Sequence, residues 1–289
     1  MELHDAKSRF LTAKRATGLS PRTVVNYAEA LDQLFGYLLA ANPRAKLTDI
    51  SSQYIEGFLE HLRDLRLKDS TCQNRFRTLR NFFNWCQHQK ILKTSPCQGL
   101  RAPIVRLEAV APYTPQQVDA MLLAARRWPA LALRDVAIIA LLLNTGMRAG
   151  ELCTLKAEHV HEGAILVTGK GKKQRWLGVE PITQRLLAAY MVNREGQRYV
   201  FNLSVGGLYR IVRRLAWEAQ PRVPNAYTHR FRDTFAVRFL ENGGQVNDLK
   251  INLGHASIET TMRYVAFEQE RRAMEAQRKY APFAQQATR

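Results

Sequence analysis

A chain of 289 residues, 46% apolar and 24% charged, is long enough for two domains of ordinary globular size and is neither disordered nor fibrous. Lys and Arg outnumber Asp and Glu by 43 to 25, and a net charge of +18 calls for a polyanionic partner, nucleic acid before an acidic membrane surface. The longest uninterrupted apolar stretch, Val136 to Leu143, is eight residues against the ~20 of a bilayer span, which excludes a transmembrane helix.

The opening MELHDAKSRF lacks the apolar core of a secretion signal, and the four cysteines (Cys72, Cys86, Cys97, Cys153) show no close pairing. The expectation is a cytoplasmic protein with free thiols and no zinc site. Ser20-Pro21 is a helix start, the hydroxyl as cap and the proline in the first turn. Val24, Ala28, Leu31, Phe35 and Leu38 then recur at helical spacing. A second helix runs through Ile55, Phe58, Leu59 and Leu62, and a third through Phe76, Leu79, Phe82, Phe83 and Cys86. The first hundred residues therefore read as a small all-helical bundle. On the third helix, Asn74, Arg77, Asn81 and Asn84 lie opposite the apolar stripe. Asn and Arg suit base edges and phosphates, so this face is either a major-groove reader or simply solvated.

From Thr94 to Pro112 the periodicity disappears and three prolines arrive (Pro96, Pro103, Pro112), a linker composition. The expected domains are 1–100, a linker at 101–112, and 113–289. Both sides are basic, at +7 before residue 113 and +11 from there on, so both are expected to meet the same polyanion. Thr114-Pro115-Gln116-Gln117 opens a new helix with a capping box, and Val136 to Leu143 reads as a helix buried on all sides. Residues 164–168 and 175–179 are strand-like around Gly169-Lys-Gly-Lys-Lys-Gln174, a β-hairpin with lysines at its tip. Helical signals return from Pro181.

Singly, the remaining polar candidates are unremarkable. Arg148 follows the buried helix through a glycine turn; His229 and Arg232 share a helical face; His255 follows a helix end; Tyr264 has an amphipathic setting. Together, two arginines, two histidines, a hairpin lysine and a tyrosine suit a phosphodiester, with no carboxylate or Cys/His cluster to hold Mg²⁺ or Zn²⁺. Arginine forks bond non-bridging phosphate oxygens. A tyrosine of pKa near 10 is about 0.1% ionised at neutral pH, so attack needs a nearby base or a strongly positive site. The departing 5′ oxygen needs a proton, which a lysine on a hairpin can deliver. No stretch fits the GxxxxGK[ST] phosphate loop.

The order Arg148, Lys170, His229-x-x-Arg232, Leu-Gly-His255 and Tyr264, with the tyrosine nine residues beyond the second histidine, resembles the tyrosine recombinase (phage integrase) family. The resemblance covers almost the whole chain, since a helical core-binding domain of about 100 residues before a catalytic domain is also that family's layout. Length, the lack of an extra arm-binding domain, and Gly-Lys-Gly-x-Lys-x-Arg at 169–175 make the chain most similar to simple Xer-type recombinases. It departs from them at Phe231, where leucine is usual, and at Asp233, where histidine is common.

The resemblance implies a mainly α fold: a helical core-type DNA-binding domain and a mixed α+β catalytic domain carrying a small β-sheet. It implies Arg148 and Arg232 as phosphate clamps and Lys170 as general acid, although Lys172 and Lys173 share the same turn. His229 assists proton transfer, His255 bonds the phosphate, and Tyr264 attacks to leave a 3′-phosphotyrosyl link. Glu151 buttresses the site. Asn74, Arg77, Asn81 and Lys172 are the DNA-contact candidates. No cofactor or metal is implied. The partners implied are a double-stranded recombination site and a homo-oligomer, tetrameric in synapsis, or a related recombinase, with no membrane. Ala266, Phe267, Met274, Tyr280 and Phe283 are apolar anchors that fit packing either on their own domain or on a neighbouring protomer. The alternatives are a catalytically inactive DNA-binding regulator with this fold and a type IB topoisomerase.

Overall fold

The computed structural model describes residues 2–105, 109–192, 194 and 196–281, Lys170 by its backbone alone. The chain divides into two compact units, Met1–Glu108 and Ala109–Arg289. In the first unit, α1 (Leu3–Ala16), α2 (Pro21–Ala41), α3 (Ser52–Asp64) and α4 (Asp69–His88) enclose one core. The Ser20 hydroxyl accepts from the Thr23 backbone N–H at the head of α2, and Ser51 caps α3 in the same way. Phe10, Phe35, Phe82, Phe83 and Trp85 interlock at the centre, with Phe10 edge-on to Phe82 at 5.2 Å. The sequence reading has no counterpart to α1. Only Leu3, Ala6, Phe10 and Leu11 of that helix are buried and no side chain caps it, so its apolar stripe is too thin to announce itself.

The proline-bearing stretch after α4 is held against that helix. Gln73 Nε2 donates to the Pro103 carbonyl (3.0 Å), Arg80 Nη2 donates to the Leu100 carbonyl (2.7 Å), and Cys97 is buried between them in sequence. The four cysteines are free and buried, and burial pushes the Cys86 and Cys97 thiols up to about 12.

In the second unit, α5 (Pro115–Arg126) begins with the expected capping box between Thr114 and Gln117. It packs beside α6 (Pro129–Thr145), whose Val136, Ala137, Ile138, Ile139, Leu141 and Leu142 lie inside the core. Gly146 ends α6 at φ +60°, a left-handed conformation that favours glycine. The short α7 (Ala149–Cys153) follows. The hairpin is present as β2 (Ala164–Thr168) and β3 (Gln174–Gly178), antiparallel with Ile165 opposite Leu177, and a two-residue β1 (Val160–His161) extends it to three strands. Lys170–Lys172 form a single 3₁₀ turn at the tip, where Gly171 and Lys172 both have positive φ.

Four further helices, α8 (Pro181–Met191), α9 (Val205–Glu218), α10 (Thr228–Glu241) and α11 (Val246–Leu253), precede the long α12 (Glu259–Tyr280). The head of α10 is tied to the start of the unit: Tyr113 Oη donates to the Tyr227 carbonyl, and Arg230 donates to the carbonyls of Ala111, Pro112 and Pro224. A second, smaller cluster of Val110, Ala236, Val237, Leu249, Leu253 and Tyr264 seats α12 on α10 and α11. Of the C-terminal anchors, Phe267 packs partly on that cluster, Ala266, Met274 and Tyr280 are exposed, and Phe283 lies outside the described residues. No helix among the described residues is long and apolar enough to cross a membrane.

Candidate active site

The C-terminal end of α11 organises the site. An α-helix leaves its last carbonyls without intrahelical partners. Here three consecutive ones are each taken by a different arginine. Arg175 Nε donates to Asn252 O (2.8 Å), Arg232 Nη2 donates to Leu253 O, and Arg148 Nη2 donates to Gly254 O (3.2 Å). The negative pole of the helix suits the cationic groups. Gly254 turns the chain at φ +62°, and a Cβ there would lie 3.1 Å from Arg175 Nη1, so glycine is needed for both conformation and space.

Glu151 is the counter-charge. Its carboxylate is 4% exposed and accepts from both Nη groups of Arg175 (2.8 and 2.9 Å), from Arg148 Nη1 (3.1 Å) and from the Arg148 backbone N–H (2.8 Å). Burial alone would raise its pKa, but the Arg175 and Arg148 hydrogen bonds outweigh burial and hold it below the ordinary value. Arg175, at the start of β3, belongs to the hairpin motif, where the sequence alone gives it no role. The alternation of β3 turns it inward, and its separation from Glu151 in sequence hides the pair.

Arg232 is 1% exposed, with Nη1 on the Gly146 carbonyl (2.8 Å) and its buried Nε unpaired. Burial, then the nearby Arg148, lowers its pKa to about 10, so it stays charged at neutral pH. Arg148 has a side chain 39% exposed and stands at the mouth. His255 Nδ1 meets Thr261 Oγ1 at 2.9 Å. Burial first, and then Arg232 and Arg148, depress its pKa to about 4, so its ring is neutral at pH 7.

Tyr264 does not keep its tip in water. It is 1% exposed, its ring lies parallel to His255 at a centroid distance of 6.5 Å, and Oη donates to Asp233 Oδ1 at 2.8 Å. Burial, then the Asp233 charge and hydrogen bond, raise its pKa against the lowering effect of Arg232. His229, one turn before Asp233 on α10, brings Nε2 to 3.9 Å from the same carboxylate oxygen while its side chain stays 56% exposed. In the sequence Asp233 stands out only as a departure from a motif, and its i, i+4 spacing from His229 is the signal of their contact.

Arg148, His229, Arg232, His255 and Tyr264 thus converge in one cluster. The Lys170 side chain lies outside the described residues. Its turn begins at the cluster, since a Cβ on Gly169 would lie 3.2 Å from Glu151 Oε1. Lys172 is exposed on that turn. The other DNA-contact candidates belong to the first unit, where a groove of about 570 Å³ between α2 and α4 is lined by Arg22, Asn26, Asn74, Arg75, Arg77 and Asn81. Asn74 and Arg77 are exposed there, whereas Asn81 is half-buried and donates to Tyr27 Oη at 3.2 Å. Among the described residues no three His, Cys, Asp or Glu side chains are grouped as metal ligands.

Residues 113–271 match the Phage integrase family, and residues 2–102 match the phage integrase SAM-like domain. A tyrosine recombinase XerC of Psychromonas ingrahamii is 30% identical over 264 residues, 86% of this chain and 86% of that protein. A tyrosine recombinase XerD of Halalkalibacterium halodurans is 27% identical over 265 residues, 86% and 87% of the two chains. Among solved structures, the Tn1549 transposon integrase in complex with transposon right end DNA superposes with a TM-score of 0.75 at 18% identity, over 96% of this chain and 99% of that one. XerH site-specific recombinase bound to its difH substrate gives 0.69 at 22% identity, over 91% and 81%.

Proposed function

The chain belongs to the phage integrase family and is a site-specific DNA recombinase of the tyrosine type, similar to the Xer proteins; from this we propose that Tyr264 is its nucleophile. The observation that carries the assignment is the gathering of Arg148, of His229 and Arg232 on α10, and of His255, three separate segments, around the buried phenol of Tyr264. Arg148 and the unpaired Nε of Arg232 take the non-bridging oxygens of the scissile phosphate. His255, neutral at pH 7, bonds the same phosphate. Lys170 protonates the leaving 5′ oxygen, with Lys172 as the competing donor on the same turn. The phosphotyrosyl bond conserves the energy of the broken phosphodiester, so rejoining needs no nucleotide.

The substrate is duplex DNA, gripped by the first unit through the Asn74 and Arg77 face of its groove. The working assembly is a tetramer on two duplexes, and the exposed far half of α12 is a surface through which protomers meet. The protein works in the cytoplasm, on the nucleoid. Mapping covalent attachment points on DNA flanking its own gene locates the site. On a nicked duplex carrying that site, the wild-type chain should become trapped covalently. Tyr264→Phe should bind equally well and give no adduct. An adduct that survives this substitution refutes Tyr264 as nucleophile.

A further inference from the structure

A phenol that attacks phosphorus must lose its proton, and the cluster is dominated by groups that cannot take one. Arg148, Arg175, Arg232 and Arg263 are cations. Glu151 is already engaged by Arg148 and Arg175. His255 faces the Tyr264 ring in parallel and uses Nδ1 on Thr261. Among the described residues, Tyr264 Oη donates to Asp233 Oδ1, at 2.8 Å and inside the protein. Asp233 is itself 3% exposed, so bulk water does not compete for the phenol proton.

Building on the assignment of Tyr264 as nucleophile, we propose that Asp233 accepts the phenol proton as Tyr264 attacks and returns it when the strands are rejoined. In cleavage the O–H bond of Tyr264 breaks, the Oη–phosphorus bond forms, and the proton goes to Asp233 Oδ1. The electron pair of the phosphorus–O5′ bond leaves with the 5′ oxygen, which takes its proton from the hairpin lysine. Rejoining reverses each transfer. The groups seen against Asp233 are His229 from its own helix and Tyr264 from α12; Arg232 and Arg263 act electrostatically on both of these, and Arg148 on His229. Among these, His229 provides an outlet: its exposed ring holds Nε2 3.9 Å from Oδ1, beyond direct hydrogen bonding, so the ring must turn toward Oδ1 to pass a proton between the buried carboxylate and solvent. Partial burial, opposed by Asp233 but aided by Arg232, Arg263 and Arg148, keeps His229 below its ordinary pKa. This division of labour is specific to a chain with aspartate directly after the second arginine.

The test is single-turnover adduct formation by the full chain on the nicked duplex, with Asp233→Asn and Asp233→Glu beside wild type. Asparagine keeps the shape and can still accept a hydrogen bond, so thermal melting and DNA binding should match wild type. Loss of a general base costs roughly 10²–10⁴-fold in rate, and a slowing of that order is expected in Asp233→Asn, with partial recovery in Asp233→Glu. The decisive arm replaces Tyr264 by a difluorotyrosine, whose phenol ionises far more readily. That change should narrow the gap between Asp233→Asn and the aspartate-bearing chain several-fold when both carry the fluorinated tyrosine. A merely structural aspartate would show no such narrowing. If wild type gives no adduct, the nucleophile assignment fails and this inference falls with it. If wild type reacts and Asp233→Asn reacts equally fast or faster, or the gap between them does not narrow on fluorination, only the proton-acceptor role is overturned.

Discussion

His255 shows burial and neighbouring charge acting in the same direction on one side chain. Its pKa is about 4 in the fold against 6.5 ordinarily, with burial the largest cause and Arg232 and Arg148 next. Between those two pH values the unfolded chain binds a proton that the folded chain does not. The stability associated with a neutral His255 is therefore fully present above pH 6.5 and is lost as pH falls toward 4. Thermal melting at pH 7 and pH 5 should show a drop that is smaller in His255→Gln. The same arginines make the ring a reporter of anions. A phosphate between Arg148 and Arg232 cancels part of their field, so NMR titration should find the His255 pKa raised in the presence of a phosphodiester. An unchanged value would mean the anion sits elsewhere. In the sequence this histidine was legible as the residue after a helix end, and its neutrality was not, because the cationic neighbours come from positions 148 and 232.

Two helix ends do more for the site than any helix face. Gly146 closes α6 and offers its carbonyl to Arg232, and Gly254 closes α11 and offers its own to Arg148. At Gly146 a Cβ would lie 2.4 Å from Phe235 Cδ1, in a conformation already unfavourable to other residues. Gly146→Ala should therefore destabilise the second unit by at least about 1–3 kcal/mol, read by urea unfolding, and slow adduct formation by displacing Arg232. Equal stability would show that Phe235 moves aside freely. Elements of this kind were readable where chemistry is local: the Ser20 and Thr114 caps, the buried α6 and the hairpin strands all follow from residues within a few positions of one another. α1 and β1 were not readable, the first for want of apolar residues and the second because two residues carry no period. The Glu151–Arg175 pair spans 24 positions and is set by how the β2–β3 hairpin packs against α7 and α11, which no local pattern encodes.

At the scale of the molecule, a charge of +18 shared by both units makes binding an exchange of phosphate counterions for Lys and Arg. Affinity for a duplex should fall steeply between 50 and 200 mM salt, by about 10³-fold or more if six or more phosphates are engaged, as fluorescence anisotropy would report. A shallow response would count against the polyanion reading. Composition announces this property, and the family pattern implies that Arg148 and His255 converge; the hydrogen bond of Arg148 to Gly254 across 106 positions is visible only in the fold. The location of Tyr264 on α12, downstream of its partners Arg148, Arg175, His229, Arg232 and His255, has a consequence for biosynthesis. With Tyr264 as the proposed nucleophile, the emerging polypeptide holds arginines but not that phenol while the ribosome is still translating α10 and α11. On that assignment a half-made chain lying near the chromosome would be unable to nick it.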